Sequence, residues 1–369
     1  MRRKKGFAFC LVISMLLMLA ACSQSPEAPS SEVSPLVQAD LFVIPGAGAL
    51  EDESFNQVAW EAAQAYASEK QWECASILPE AEDDAAYETA IQRAVSGGAK
   101  IIIALGSSME TAIYKAQTEN PDVAFLLIDG NPQDGNGNYV TASNCVGIVF
   151  AEEQAGFLAG YGAVMEGYTK IGFLGGEESP AVTRYGYGFL QGAEAAAAER
   201  GIETVDAKYH YTGTYFASPE IEERAASWYQ SGTEVIFACG GEIGLSVMAA
   251  AEKNNGTVIG VDVDQSSLSE TVLSSAMKSI AASVQEVLGQ YDAGTFPGGE
   301  SLLFDASNNG VQLEMEHSRF QTFTQEQYDA VYEKLKTFEI ALLKDTSEDG
   351  QPLLLTDLPL QIVQFGVVG

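Results

Sequence analysis

Short apolar runs rich in Val and Ile alternate along this chain with longer segments of helical period. "LFVIP" (41–45) precedes a helical stretch from Phe55 to Lys70, and "ECASIL" precedes one from Asp84 to Ser96. "KIIIALG" precedes a third, from Met109 to Thr118, which leads into "VAFLLID". Strands that alternate with helices predict βαβ units and a parallel sheet. Strands that are apolar at nearly every residue predict burial of both sheet faces. The pattern then recurs. "SGGAKIIIALG" (96–106) is echoed by "SGTEVIFACG" (231–240), and "FLLID" ending at Asp129 by "VIGVD" ending at Asp262. Upstream, "ASEKQWE" (67–73) is echoed by "AAERGIE" (197–203). The offsets are 134 residues at Gly106 and Gly240, 133 at the aspartates and 130 at the upstream pair. A repeat this long predicts two related, doubly wound α/β lobes rather than a solenoid of short units. In such sheets ligands bind outside the carboxyl ends of the strands, so two facing lobes predict an interlobe cleft that closes about a hinge.

Residues at those strand ends are the candidates for binding. Ser54 to Gln57 fits a capping box, with Ser54 capping a helix and Gln57 reaching back. Phe55 then opens that helix at the cleft wall, although Phe55, Val58, Ala62 and Ala65 also share a face that could be a core stripe. At the 130-residue offset Phe55 lies opposite Tyr185, and two rings closing on one flat ligand is the pattern this suggests. Asp129 and Asp262 end equivalent strands, with Asp264 following in "VDVDQ". A carboxylate there can accept two hydrogen bonds from a vicinal diol, or it can simply serve as a turn or cap residue. Gly175-Gly176 and Gly240-Gly241 permit close backbone approach to a ligand, or only end strands.

The first residues point to a compartment. "MRRKKGFAFCLVISMLLMLAAC" has a basic start, an apolar stretch and small residues ending at Cys22, the pattern of a signal segment (1–21). Gly6 to Ala21 is short for a membrane span, which needs roughly 20 apolar residues. "LAAC" resembles the bacterial lipobox, in which Cys22 becomes the lipid-modified first residue. The expectation is therefore a protein anchored on the extracytoplasmic face of the cell membrane and not spanning it. Residues 22–39, rich in Ser, Pro and Glu, read as a flexible tether. Removing the four cations of the signal leaves 15 Lys and Arg against 51 Asp and Glu, a net charge of −36. Nucleic acid is excluded as a partner on that balance. Cys74, Cys145 and Cys239 are odd in number and widely spaced, which suits buried thiols rather than a disulfide framework.

Catalysis has little to stand on. There are two histidines, no "G-x-S-x-G" elbow, no Walker loop and no Cys/His cluster suited to zinc. No enzyme, no cofactor and no metal are expected. The motifs point elsewhere. "DESFNQVAWE", "GFLAGYGAVM", "KIGFLGG" with "YGYGFLQG", "YTGTY", "EVIFACGGEIGLSVMAAAEK", "VIGVDVDQ" and "VLSSAMK" occur in an order and spacing that is specific. In these the chain resembles the basic-membrane-protein type of substrate-binding lipoprotein, the purine-nucleoside receptors of bacterial ABC importers. The resemblance runs from Asp40 to Val311. It implies a type I periplasmic-binding-protein fold, a nucleoside ligand and ABC permease partners, and a monomer is expected.

The same resemblance implies site roles. Phe55 would stack on one face of the base and Tyr215 on the other, which makes Tyr185 a neighbouring wall; the repeat and the resemblance disagree here. Gly241 would lie near the ligand, Asp262 would bind the ribose hydroxyls, Lys278 would reach the sugar, and Asp52 and Asn56 would be polar contacts near the base. One departure is clear: many relatives carry an acidic residue soon after the first strand, where this chain reads Pro45-Gly46-Ala47. A sensor lipoprotein and a sugar-binding receptor of the same fold are the alternatives. The expected lobes are 40–148 plus 264–298, and 149–263 plus 299–369. A tail helix is expected from Gln325 to Leu343.

Overall fold

The computed structural model describes residues 37–347 and 349–367. The expected signal segment, Cys22 and nearly all of the tether lie outside these residues. The first half runs β1 (Leu41–Pro45), α1 (Phe55–Lys70), β2 (Cys74–Ser76), α2 (Asp84–Ser96), β3 (Ile101–Leu105), α3 (Glu110–Glu119), β4 (Ala124–Ile128) and β5 (Cys145–Phe150). The second half repeats it. After α4 (Glu152–Glu166) come β6 (Lys170–Gly175), α5 (Pro180–Arg200), β7 (Val205–Tyr211), α6 (Pro219–Gln230), β8 (Val235–Cys239), α7 (Ile243–Asn254), β9 (Thr257–Asp262) and β10 (Val272–Lys278). The chain ends with α8 (Ile280–Asp292), β11 (Ser301–Phe304), β12 (Val311–Leu313), α9 (Gln325–Lys336) and β13 (Val363–Val367).

Two sheets result. The first has the order β2-β1-β3-β4-β5-β11, and all of its pairs are parallel. The second has the order β13-β7-β6-β8-β9-β10-β12, parallel except for the last pair. Strands β1 to β5 therefore correspond one by one to β6 to β10, as the repeat predicts. The central strands β1, β3, β4 and β8 are buried at every residue, because helices cover both faces.

The crossings between lobes differ from expectation in two of three places. The first falls between β5 and α4, close to the expected Val149. The second was expected at Asp264, but β10 pairs with β9 and belongs to the second sheet. The chain leaves only after Lys278, where α8 packs on α1. The third was expected at Gly298, but β11 pairs with β5 in the first sheet. Each apolar strand completes the sheet whose open edge it meets, and the repeat has a fifth strand in both lobes. The tail helix ends at Lys336, not Leu343. Phe338 adopts a left-handed backbone, φ 57°, which a helix cannot continue through. The segment beyond it straps α5, with Leu343 and Gln191 exchanging two hydrogen bonds of 2.8 and 2.9 Å.

The α4–α5 pair explains four of the six glycines of "GFLAGYGAVM" and "YGYGFLQG". A Cβ at Gly160 would lie 1.9 Å from the Phe189 carbonyl oxygen, and one at Gly192 would lie 2.0 Å from that of Phe157. Gly156 and Gly188 are equally tight. The two backbones touch, which only hydrogen at these positions permits. Helix α4 is buried continuously from Ala155 to Met165, as a helix apolar on all sides must be.

Candidate functional site

The carboxyl ends of both sheets face a common cavity of about 310 Å³. The first lobe contributes the loop after β1, the start of α1 and the ends of β3 and β4. The second contributes the loop after β6, the start of α5, the loop after β7 and the ends of β8, β9 and β10. Nine of the ten residues expected at the site line it: Asp52, Phe55, Asn56, Asp129 and Tyr185, and also Tyr215, Gly241, Asp262 and Lys278.

At the mouth of α1 the capping differs from expectation. Asp52, not Ser54, caps the helix. Its carboxylate accepts hydrogen bonds from the backbone N–H of Ser54 (2.9 Å), Asn56 (3.1 Å) and Gln57 (3.1 Å). Gln57 does reach back, but to the N–H of Glu53. Burial pushes the Asp52 carboxyl up to about 6 against the opposing pull of those N–H groups. The Ser54 hydroxyl is thus released, and it donates across the cleft to Asp262 Oδ2 at 2.6 Å. Asn56 donates its amide to the carbonyls of Ala47 and Ala49, both at 2.9 Å. Its amide therefore holds the loop after β1 in shape. Phe55 sits half-buried at the first helical position, with Lys278 Nζ 4.7 Å from its ring centre, a cation–π distance.

The two tyrosines separate by depth. Helix α5 starts at Pro180, so Tyr185 falls in its second turn rather than at its mouth, as Phe55 does in α1. It is drawn into the core edge-on to Phe237, with its hydroxyl 3.4 Å from Asp262 Oδ1 and from the Ala276 carbonyl. Tyr215 is half-buried at the opposite wall, with its hydroxyl donating to Ser179 Oγ at 3.2 Å. Its Cβ would lie 3.2 Å from a Cβ built on Gly48 of the first lobe. Tyr185 is a floor of the cavity and Tyr215 a wall.

Asp129, directly after β4, and Asp262, the last residue of β9, share a left-handed conformation, φ 61° and 66°. Both turn into one buried charge cluster. Lys278 Nζ lies 2.5 Å from Asp129, 3.5 Å from Glu152 and 3.5 Å from Asp262. Arg184 extends the cluster outward, bonding Glu152 at 3.3 Å and Asp345 of the tail at 2.7 Å. Burial alone would lower the Lys278 pKa, but Asp129, Asp262 and Glu152 hold it above the ordinary value. Burial raises Asp129 despite Lys278, with Glu152 and Asp262 adding to the rise. One ammonium is shared by three carboxylates, so its pull on Asp129 is divided and burial prevails there.

Asp264 is the exception. It points away from the cavity, accepting from the Ser266 N–H (2.9 Å) and pairing with His317 Nδ1 (2.9 Å). The chain turns at Val263, whose N–H bonds the Val261 carbonyl, and this reverses the side-chain direction after Asp262. Asp264, Glu314 and His317 bring three donor atoms within 4.8 Å of one another, and they pair among themselves, His317 Nδ1 with both carboxylates and the His317 N–H with Glu314. Cys145 and Cys239 are buried as expected, while Cys74 is only partly so.

Four site residues escaped the sequence reading: Ser54 as a cross-cleft donor, Glu152, Glu177 and Glu178. Glu177 was within reach, since it follows Gly175-Gly176 as Ala47 follows Pro45-Gly46 at the 130-residue offset. Glu152 carried no such signal, because it enters through a crossing. Among the described residues the cavity is lined by five carboxylates (Asp52, Asp129, Glu177, Glu178 and Asp262) against the single ammonium of Lys278.

The family model described as "ABC transporter substrate-binding protein PnrA-like" matches residues 41–346. The chain is 28% identical over 341 residues to the ABC transporter nucleoside-binding protein BmpA of Lactococcus lactis, covering 86% of this chain and 93% of that one. It is 27% identical to basic membrane protein D of Borreliella burgdorferi, covering 84% of this chain and 86% of the relative. A solute-binding protein of an ABC transporter system from Aeropyrum pernix K1 superposes with a TM-score of 0.73 at 19% identity, over 84% of this chain and 94% of its own. That last likeness concerns the fold alone.

Proposed function

The chain belongs to the PnrA-like family of ABC transporter substrate-binding proteins, and from that premise we propose that its interlobe cavity takes a nucleoside. A small-molecule ligand and permease partners follow from the family; the nucleoside is the further step. One observation carries it. Phe55 and Tyr215, rings from opposite lobes, line the same cavity as Asp262 and Lys278. A base between the rings gains stacking of roughly 1–3 kcal/mol per ring. Asp262, held left-handed at a strand end, offers acceptors for the ribose diol. Arg184, which a sugar receptor could use, is instead engaged by Glu152 and Asp345. The acid excess around Lys278 disfavours a phosphate, so nucleosides are expected to bind and nucleotides to be rejected.

The binding cycle follows from the crossings. An open form admits the ligand, the lobes close, and the Ser54–Asp262 bond forms across the closed cleft. The nucleoside is then handed to the permease. Anchoring through a lipidated Cys22, with the body on the extracytoplasmic side, belongs to the same proposal. No helix among the described residues is long and apolar enough to cross a membrane.

The test is thermal melting of the body from residue 37 onward against purine and pyrimidine nucleosides, free bases, pentoses and nucleoside monophosphates. A ligand at about 100 times its Kd stabilises by roughly 2.7 kcal/mol. Phe55→Ala and Asp262→Asn are each expected to weaken nucleoside binding by about 1–3 kcal/mol while leaving the protein folded. Stabilisation by pentoses alone, or unchanged affinity in both variants, defeats the nucleoside reading.

A further inference from the structure

A second concavity adjoins the first. It encloses about 580 Å³ at the mouth of the cleft, and it shares Ala47 with the inner cavity. Its first-lobe side is the loop after β1 and the segment from Leu78 to Glu82; its second-lobe side is Phe216. The groove is therefore built mainly on the first lobe, and Phe216 completes it from the second.

The boundary between the two spaces is thin. Tyr215 and Phe216 are consecutive, and the turn after β7 sends them to opposite sides: Tyr215 lines the inner cavity and Phe216 the outer groove. Across from them Ala47 presents one methyl group to both spaces, and Gly48 packs against Tyr215 with no side chain at all. Gly48 is held there by its N–H bond to Glu82 at 3.1 Å. Ala47, the one residue common to both spaces, separates them with a single methyl group, the least that any side chain could interpose.

The groove is apolar with an acidic rim. Leu78 and Phe216 are 55% and 46% exposed, with Pro79 between them and the acids Glu51, Glu80 and Glu82 around them. Exposed large apolar side chains gathered in one concavity mark a binding surface. The end of the inner cavity it meets is the one bearing Asp52 and Asn56. This is remote in role from Asp262 and Lys278, which would hold the sugar. A group entering the groove would therefore be carried by the base and not by the pentose.

We propose that the outer groove is a subsite for an uncharged apolar or aromatic substituent on the base edge, so that this receptor takes base-modified nucleosides. The proposal rests on the nucleoside reading. The substituent passes beside Ala47, lies against Leu78 and Phe216, and bridges the two lobes in the closed state.

The experiment is calorimetric titration of the body with adenosine, inosine and guanosine, with N6-benzyladenosine and N2-benzylguanosine, and with 5′-O-benzoyladenosine as a substituent at the wrong end. Each is repeated with Phe216→Ala and Leu78→Asp, which lie outside the inner cavity. At least one benzylated base is expected to bind as tightly as its parent or tighter, while the 5′-substituted compound is rejected. Both variants are expected to leave the parent nucleosides unchanged and to weaken the benzylated ligand about tenfold, the effect of removing one buried apolar contact. Rejection of both base-substituted ligands while a parent binds overturns the subsite but spares the nucleoside reading. Undiminished binding of the benzylated ligand in both variants also overturns it. Failure of every nucleoside, parent or modified, removes the nucleoside reading and the subsite with it.

Discussion

Asp129 and Asp262 do two things at once at the residue scale. Each ends a strand in the left-handed region, which aspartate tolerates better than most residues, and each aims a carboxylate into a dry, crowded cluster. Holding such strain and such charge together is typical of a site built for a ligand. The result is a set of carboxyls that would rather carry a proton. Asp52 is pushed up to about 6 and Glu153 up to about 7, in both cases chiefly by burial, and Asp129 moves the same way. A carboxyl raised on folding binds more proton in the native state than in the unfolded one, so stability falls as pH rises through its raised value. The unliganded body is therefore expected to be more stable at about pH 5.5 than at about pH 7.5, read as the urea midpoint at each pH. Asp134, lowered to about 2 chiefly by Asn138, acts only in stronger acid and leaves that comparison untouched. An equal or higher midpoint at the upper pH would contradict the burial argument. These residues also show what the sequence can disclose. Asp262 and Asp129 were legible because a strand ending in aspartate recurs at a fixed offset. The partnership of Ser54 with Asp262 was not, because it spans 208 positions and depends on Asp52 taking the cap.

Among the elements, the three helices of the first half of the repeat were read to within a residue, and the strands of both halves were legible because buried parallel strands are apolar throughout. Ser179 and Ser218 cap α5 and α6 ahead of a first-turn proline, a start signal visible in the letters alone. What was not legible was the fate of segments outside the repeat. Strand β11 has nothing in its sequence to say which open edge it will join. The repeat set Tyr185 opposite Phe55, but α5 begins earlier relative to its strand than α1 does, so these matched sequence positions occupy different turns and Tyr185 lines the cavity from deeper in its helix. The glycines of α4 and α5 looked like family signature; the fold makes them contact surface. Gly160→Ala places a methyl group against the Phe189 carbonyl and is expected to destabilise the protein by about 1–3 kcal/mol, as overpacking does. Gly289→Ala in α8 meets nothing within 4 Å and is expected to stabilise by about 0.5–1 kcal/mol through helix propensity alone. Urea unfolding of the two variants checks both signs.

For the whole molecule the decisive feature is that neither lobe is one continuous stretch of chain. The second sheet already holds β6 to β10 by Lys278, but the first still lacks α8 against α1 and β11 against β5. A chain ended after Ser279 is expected to show no cooperative melting transition by circular dichroism, because an open sheet edge and an uncovered helix face remain. A sharp transition within a few degrees of the full body would refute that. The order of synthesis then acquires a meaning. The first sheet closes only with β11, at Phe304, and the second only with β12 and β13, the latter at Val363–Val367. Neither half can therefore set while the chain is still a growing thread, because the strands that close both sheets are all written beyond residue 300.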